Sequence, residues 1–136
     1  MTSIDSPIVD LGTTPEAMTE LVASPEALKA LLPGDKVSDF QADATGCSFK
    51  VSGGITIVLG LDEVVEGVRV RYGSRKGTPI RFTLDLVFES HPEKPGRCRS
   101  QVKCLAELNP FTKMIAEQAL TSLFDAISSN LRAAYP

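Results

Sequence analysis

The chain has 136 residues, of which 43% are hydrophobic and 23% charged, and its formal net charge at pH 7 is −3. This is the size of one ordinary globular domain, so we expect a single domain over residues 1–136. The small negative charge argues against nucleic acid as a partner, because phosphate backbones attract basic surfaces.

The N-terminal residues, the apolar stretches and the cysteines indicate the cellular compartment. The first ten residues lack the basic segment and apolar run of a signal peptide, and no stretch approaches the roughly 20 apolar residues of a membrane span. We therefore expect a cytoplasmic protein without a membrane span. Cys47, Cys98 and Cys104 form no CxxC pair, which argues against a disulfide framework and a metal site, so we expect reduced, small core residues.

The N-terminal quarter predicts an edge strand and two short helices. Residues 3–11 read as extended with a break at Pro7, a residue tolerated at sheet edges. Two helix starts follow, each a capping residue before a proline, and then a stop: Thr14 with Pro15, Ser24 with Pro25, and Pro33 with Gly34.

The middle of the chain changes to a period of two, which predicts strands. Six strand candidates cover residues 36–43, 46–53, 54–65, 67–74, 78–90 and 96–108. The sequences between them are turn-forming, including Gly53 and Gly54, Glu66 and Gly67, and the segments SRKGT and HPEKPG. Connections this short require antiparallel neighbours.

Alternation predicts one apolar and one polar face for this sheet. The residues expected to point inward are Val68, Val70, Tyr72, Ile80, Phe82, Leu84, Leu86 and Phe88. In the last strand, the residues expected to point inward have small side chains. They are Cys98, Ser100, Val102, Cys104 and Ala106. Such residues let a helix approach closely, or else leave room for a guest molecule.

Residues 108–131 predict a long amphipathic helix, with Asn109 as N-cap and Pro110 in the first turn. At about 100° per residue, its apolar residues fill about half of the circumference. They are Phe111, Ile115, Ala116, Ala119, Leu120, Leu123, Phe124, Ala126, Ile127 and Leu131. A face this wide contacts a sheet along one side and leaves the other side for something else.

This order of elements resembles the START-like superfamily, also called SRPBCC or helix-grip. The segments LLPGDKVSDF and AELNPFTKMIAEQAL are similar to those of its small bacterial members. The resemblance implies an α+β fold in which a curved antiparallel sheet of six to seven strands wraps around the long C-terminal helix. The two short helices after the first strand close one end. In many members an apolar molecule lies between sheet and helix.

Our first functional hypothesis is noncatalytic binding of an apolar or amphipathic small molecule, lipid-like or polyketide-like, between the sheet and the C-terminal helix. The Tyr72 and Ser100 hydroxyls would orient the guest, and no cofactor or metal is expected. The residues predicted to line the cavity are Phe49, Ile57, Leu59, Val70, Tyr72, Phe82, Leu84, Ser100, Val102, Phe111, Ile115 and Ala119.

The alternative hypothesis is a macromolecular interaction protein with a filled core. Its protein partner would bind the paired short helices or an outer basic face made by Arg69, Arg71, Arg75, Lys76, Arg97, Arg99 and Lys103. Large core side chains would then consume the interior volume.

An enzyme resembling polyketide cyclases or dehydratases is the least favoured interpretation. Such an enzyme needs an acid or base directed into the cavity. Asp39, Gln41 and Asp43 would point inward only in a register that exposes Phe40. The single histidine, His91, lies in a turn and is expected to be solvated. We therefore assign no catalytic residue.

Overall fold

A computed structural model of the chain describes residues 2–51, 54–111 and 113–136. In chain order the elements are β1 (Thr2–Asp5), β2 (Val9–Leu11), α1 (Pro15–Val22), a 3-10 turn (Pro25–Ala27), α2 (Leu28–Leu31), β3 (Val37–Ala42), β4 (Gly46–Val51), β5 (Ile55–Val65), β6 (Arg69–Ser74), β7 (Arg81–Ser90), β8 (Cys98–Glu107) and α3 (Lys113–Ala134). Gly53, one of the predicted turn residues, lies outside the described residues. Its neighbour Gly54 has a φ of +78°, which favours glycine.

Across these described ranges, eight strands form one antiparallel sheet in the order β1-β8-β7-β6-β5-β4-β3. Consecutive strands from β3 to β8 are neighbours, as their short connections require. β1 and β2 both pair with β8. The predicted break at Pro7 is confirmed, and because it divides one extended stretch into two strands, the sheet has eight strands rather than six or seven.

The inner face of the sheet follows the predicted alternation. Phe82, Leu84, Leu86 and Phe88 are each at most 4% exposed, and the small inward residues of β8 are buried as well. Val68 is a correction: it is 42% exposed, because it lies in the turn before β6 begins at Arg69. The alternation therefore holds inside the strands and fails at their ends.

A row of glycines crosses the outer side of the sheet where it bends. Gly46 is opposite Gly60, and Gly60 is opposite Gly73. The pairing register of β5 shifts between Leu61 and Glu63, and such a bulge bends a strand. A Cβ on Gly46 would collide with the backbone of β5, and one on Gly60 with the Arg75 guanidinium. Glycine therefore permits the strands and the Arg75 side chain to approach closely here.

Helix α3 packs against α2 and against strands β1, β2 and β8. It begins at Lys113 in the described chain, not at residue 108 as predicted. Asn109 instead closes a turn before the helix, since the Phe111 N–H donates to its Oδ1 over 2.8 Å. None of the described helices is both long and apolar enough to cross a membrane.

A buried hydroxyl pair fastens the C-terminal half of α3 to the sheet. The Ser6 Oγ lies 2.8 Å from the Ser128 Oγ and accepts the Val102 N–H over 2.9 Å. Both serines are at most 3% exposed. A hydrogen bond in so dry a place fixes the position of the helix over β8.

We expect Ser128→Ala to lower the free energy of unfolding by about 1 kcal/mol, because one buried hydrogen bond to Ser6 is lost. Urea denaturation measures the change. Ser129→Ala, at the neighbouring exposed position, is the control and is expected to be neutral. Equal stability of the two variants would contradict the fastening role of Ser128.

Candidate ligand-binding groove

The space between α3 and the inner face of the sheet is almost completely filled. It holds a void of about 10 Å³, lined by Leu28, Leu32, Phe49, Ile57, Leu59, Phe82, Leu84, Leu123, Phe124 and Ile127. Such a volume is near the lower limit for one water molecule. Among the described residues, this void between α3 and the sheet is therefore too small for a ligand.

A larger hollow lies at the rim, between α3 and the open edge of the sheet. This rim groove has a volume of about 370 Å³. It is lined by Pro33, Lys36, Val37, Val51, Ile115, Gln118, Ala119, Ser122 and Leu123. Its walls thus come from the turn before β3, from strands β3 and β4, and from the N-terminal half of α3.

Leu123 lines both the rim groove and the internal void. Its side chain is only 6% exposed and forms part of the wall between the two spaces. A leucine side chain has a small set of staggered rotamers. A change of rotamer at Leu123 would therefore alter both spaces at once.

The predicted lining residues fall into four groups. Phe49, Ile57, Leu59, Phe82 and Leu84 surround the internal void. Ile115 and Ala119 line the rim groove. Val70, Tyr72, Ser100 and Val102 are buried in the core but line neither space. Phe111 also lines neither of them.

Apolar side chains are exposed to solvent at the start of α3 and just before it. Phe111 is 94% exposed, Met114 80% and Ile115 70%. The expectation that Phe111 lines a cavity is therefore corrected, whereas Ile115 is largely exposed and still lines the rim groove. The reason is axial position: Ala116 is the first buried residue of the described helix, so the residues before it extend past the cover of the sheet.

The Tyr72 hydroxyl is not available to orient a guest. It donates a hydrogen bond of 2.5 Å to the Val22 carbonyl at the end of α1, and the side chain is fully buried. Carbonyls at a helix end lack a donor within the helix, so this bond joins α1 to β6. Burial also raises the pKa of Tyr72. The Ser100 Oγ is buried without a hydrogen-bond partner among the described residues, and it too lies away from the groove.

Tyr72→Phe is expected to lower the free energy of unfolding by about 1–2 kcal/mol, because the buried Val22 carbonyl loses its donor. The half-buried Tyr135 offers the same substitution as a control, with an expected change near zero. Chemical denaturation of both variants measures the difference. An unchanged free energy of unfolding in Tyr72→Phe would show that the hydroxyl does not stabilise the fold.

The three cysteines are buried and free of disulfides. Burial raises the pKa of Cys104 to about 12, with a further contribution from the Asp5 and Asp85 carboxylates. Burial likewise raises the pKa of Cys47 and of Cys98 to about 11. A thiol with so high a pKa remains protonated at neutral pH and is a poor nucleophile.

The raised pKa of Cys104 makes the free energy of unfolding depend on pH. Between pH 9 and 12 the unfolded chain loses the Cys104 proton while the folded chain keeps it, so stability falls as pH rises. We expect the stability difference between the wild type and Cys104→Ala to shrink from pH 8 to pH 10, by at most about 1.4 kcal/mol per pH unit. Urea unfolding under reducing conditions tests this, and a pH-independent difference would contradict it.

Acidic residues compensate much of the positive charge on the outer basic face. Its ion pairs are Arg69 with Glu63, Arg71 with Asp85, Arg75 with Asp62, and Arg97 with Asp10. The hydrogen bonds that Arg71 donates to the Asp85 carboxylate also raise the pKa of Arg71. Four of the seven predicted basic residues thus have an acidic neighbour, which weakens the attraction of this face for an acidic partner.

His91 is a correction to the sequence prediction. Its side chain is 8% exposed rather than solvated. The Nδ1 atom accepts the backbone N–H groups of Glu93 and Lys94, each over 3.1 Å, and Nε2 lies 3.6 Å from Asp10. The ring therefore closes the turn between β7 and β8. Over residues 2–51, 54–111 and 113–136, no three His, Cys, Asp or Glu side chains cluster as metal ligands do.

Sequence reasoning missed the wall of the groove opposite α3, formed by Pro33, Lys36, Val37 and Val51. The signal was the segment LLPGDKV, where a helix stop precedes an edge strand. Pro33 and Gly34 indicate a change of chain direction there. They do not indicate that this turn lies next to the C-terminal helix, which is distant in sequence.

Comparison with known proteins bears on the fold. No protein-family model matches the sequence, and no curated protein matches it. The protein XoxI from Bacillus cereus has a similar structure, with a TM-score of 0.77 and 11% identity over 99% of this chain and 96% of that one.

Two further structures carry informative names. A START superfamily protein from Mycobacterium smegmatis has a TM-score of 0.67 and 13% identity, over 98% of this chain and 96% of that one. A point mutant of norcoclaurine synthase from Thalictrum flavum, in complex with a transition state analogue, has a TM-score of 0.68 and 12% identity, over 98% and 95%. At these identities the likeness establishes the shared fold and leaves function to be argued from the site.

Proposed function

Because the chain has the START-like helix-grip fold, we propose that it binds an apolar or amphipathic small molecule without transforming it. The binding site is the rim groove rather than a large central chamber. The observation that carries this proposal is the groove itself, which has about 370 Å³ of space and six apolar lining residues. Small-molecule sites in general have roughly 300–1,000 Å³ and mainly apolar walls.

The affinity comes chiefly from burial of apolar surface, at about 25 cal/mol per Å². A ligand in the groove covers Ile115, Ala119 and Leu123 on α3, and Val37 and Val51 on the sheet. Rotation of Leu123 then lets an apolar end reach the internal void. The fold by itself favours a hydrophobic ligand, and the groove supplies a specific place for it.

The composition of the groove supports binding without catalysis. Its polar lining side chains, among the described residues, are Lys36, Gln118 and Ser122. No carboxylate or imidazole in the described chain lines the groove or the void. Asp39, Gln41 and Asp43 are exposed, while Phe40 packs on Phe49 with ring centroids 6.2 Å apart. Among the described residues, Lys36 is therefore the one titratable side chain of this site, and no carboxylate or imidazole is present to work with it as a general acid or base.

A protein partner is the second candidate, and the exposure of Phe111, Met114 and Ile115 favours it. Adjacent exposed apolar residues of this kind mark interaction sites on soluble proteins. The nearly filled interior supports the same alternative. The two candidate surfaces share Ile115, but Ala119 lines only the groove and Phe111 lies only at the bare end of the helix, so substitutions at these two positions separate the candidates.

We expect Ala119→Phe to weaken binding of the neutral fluorescent probe N-phenyl-1-naphthylamine by at least about tenfold, because the new ring occupies the groove. Ala133→Phe, at an exposed position on the same helix, is the matched control and is expected to bind as the wild type does. Fluorescence titration measures both affinities.

Two outcomes would contradict the proposal. In one, the probe binds Ala119→Phe and the wild type equally. In the other, the probe binding is abolished by Phe111→Ser, which changes the bare helix end, and is unaffected by Ala119→Phe. The second outcome would support the protein-partner candidate.

A further inference from the structure

The charge in the rim groove is confined to one residue. Lys36 is the single charged side chain among the described residues that line it. Gln118 and Ser122, on the α3 side, are polar but neutral. Lys36 is exposed, so its ammonium offers an anion the modest attraction of a solvent-accessible charge.

Local backbone hydrogen bonds fix the position of Lys36. The N–H groups of Lys36 and Val37 both donate to the Pro33 carbonyl, over 3.1 Å and 3.0 Å. This turn holds the Lys36 backbone at the edge of the groove, directly before β3. On the protein side, the backbone is thus already fixed and the Lys36 side chain remains to be ordered when a ligand binds.

The nearby carboxylates do not neutralise Lys36. Its ammonium forms no ion pair with any residue in the described part of the chain. Asp39 lies close in sequence but is 3.6 Å from the Lys50 ammonium. Neither Asp35 nor Asp39 lines the groove. The outer arginines contrast with Lys36, since four of them are paired.

From this arrangement we infer that the ligand of the rim groove is a small anionic amphiphile, whose acidic head pairs with the Lys36 ammonium while its apolar tail lies along α3. The inference rests on the proposed function and adds the chemical class of the ligand. A neutral head leaves the ammonium without a partner, and a cationic head is repelled by it. The volume of about 370 Å³ lies near the lower end of the range for ligand sites, which favours a single-chain molecule.

The test compares three probes with the same twelve-carbon tail: dodecanoate, dodecan-1-ol and dodecyltrimethylammonium, each below its micelle concentration. Isothermal titration calorimetry measures their binding to the wild type and to Lys36→Met. We expect the wild type to prefer dodecanoate. Lys36→Met weakens dodecanoate binding by about fivefold, the size expected for an ion pair with an exposed lysine, and leaves dodecan-1-ol unchanged.

Two matched variants isolate the charge of Lys36 from general effects. Lys36→Arg keeps the charge and is expected to retain most of the preference. Lys29→Met removes one exposed lysine that lines a neighbouring groove and not the rim groove, and it is expected to bind dodecanoate as the wild type does. Added salt should reduce the wild-type preference by screening.

The outcomes separate this inference from the function on which it rests. Equal affinity of the wild type for dodecanoate and dodecan-1-ol, or an equal loss for both in Lys36→Met, overturns the anionic assignment while groove binding stands. Dodecanoate binding that Ala119→Phe does not reduce places the ligand elsewhere and overturns both. Failure of the wild type to bind any of the three probes also overturns both.

Discussion

The contact between the apolar face of α3 and the inner face of the sheet is the constraint on which the rest of the structure depends. Phe124, Ile127 and Leu131 are at most 2% exposed, and they bury against residues from both ends of the chain. The small side chains of β8 make this contact possible. Cys98, Cys104 and Ala106 are buried, and their size allows the helix to pack close to the strand. Of the two interpretations that the sequence left open for these small residues, close helix packing is the one that agrees with the nearly filled interior.

The same contact determines where a ligand site remains. Complete packing of the C-terminal half of α3 removes the central chamber, and the internal void is about 10 Å³. In the N-terminal half, Ala116, Leu120 and Leu123 are buried, while Ile115 and Ala119 line the rim groove. Three buried hydroxyls are committed to the fold, since the Tyr72 hydroxyl binds a helix end and the Ser6 and Ser128 hydroxyls bind each other. Binding capacity is therefore found at the edge of the core and not at its centre.

The strands could be predicted from the sequence, and so could the side chains that point to the inner face of the sheet, because both depend on local patterns. Alternation in residues 80–89 and the capping of α1 by Thr14, which accepts the Ala17 N–H, needed no knowledge of distant residues. The helical wheel was less informative, since it gives the side of a helix but not the level along its axis. Phe111 and Ile115 lie on the apolar side and still face solvent. The burial of His91 was missed for a similar reason, because the nearby Asp10 comes from the other end of the chain.

The groove wall opposite α3 includes an edge strand, β3, whose irregular backbone disfavours pairing with another chain. β3 ends the sheet, and an open edge invites pairing with another chain. Its register shifts between Ser38 and Gln41, and Asp39 adopts a φ of +54°, unusual for a residue other than glycine. Such a bulge interrupts the row of edge hydrogen-bonding groups, while Phe40 remains stacked on Phe49. The irregularity that discourages strand pairing comes directly after Val37, so the edge stays free for the rim groove.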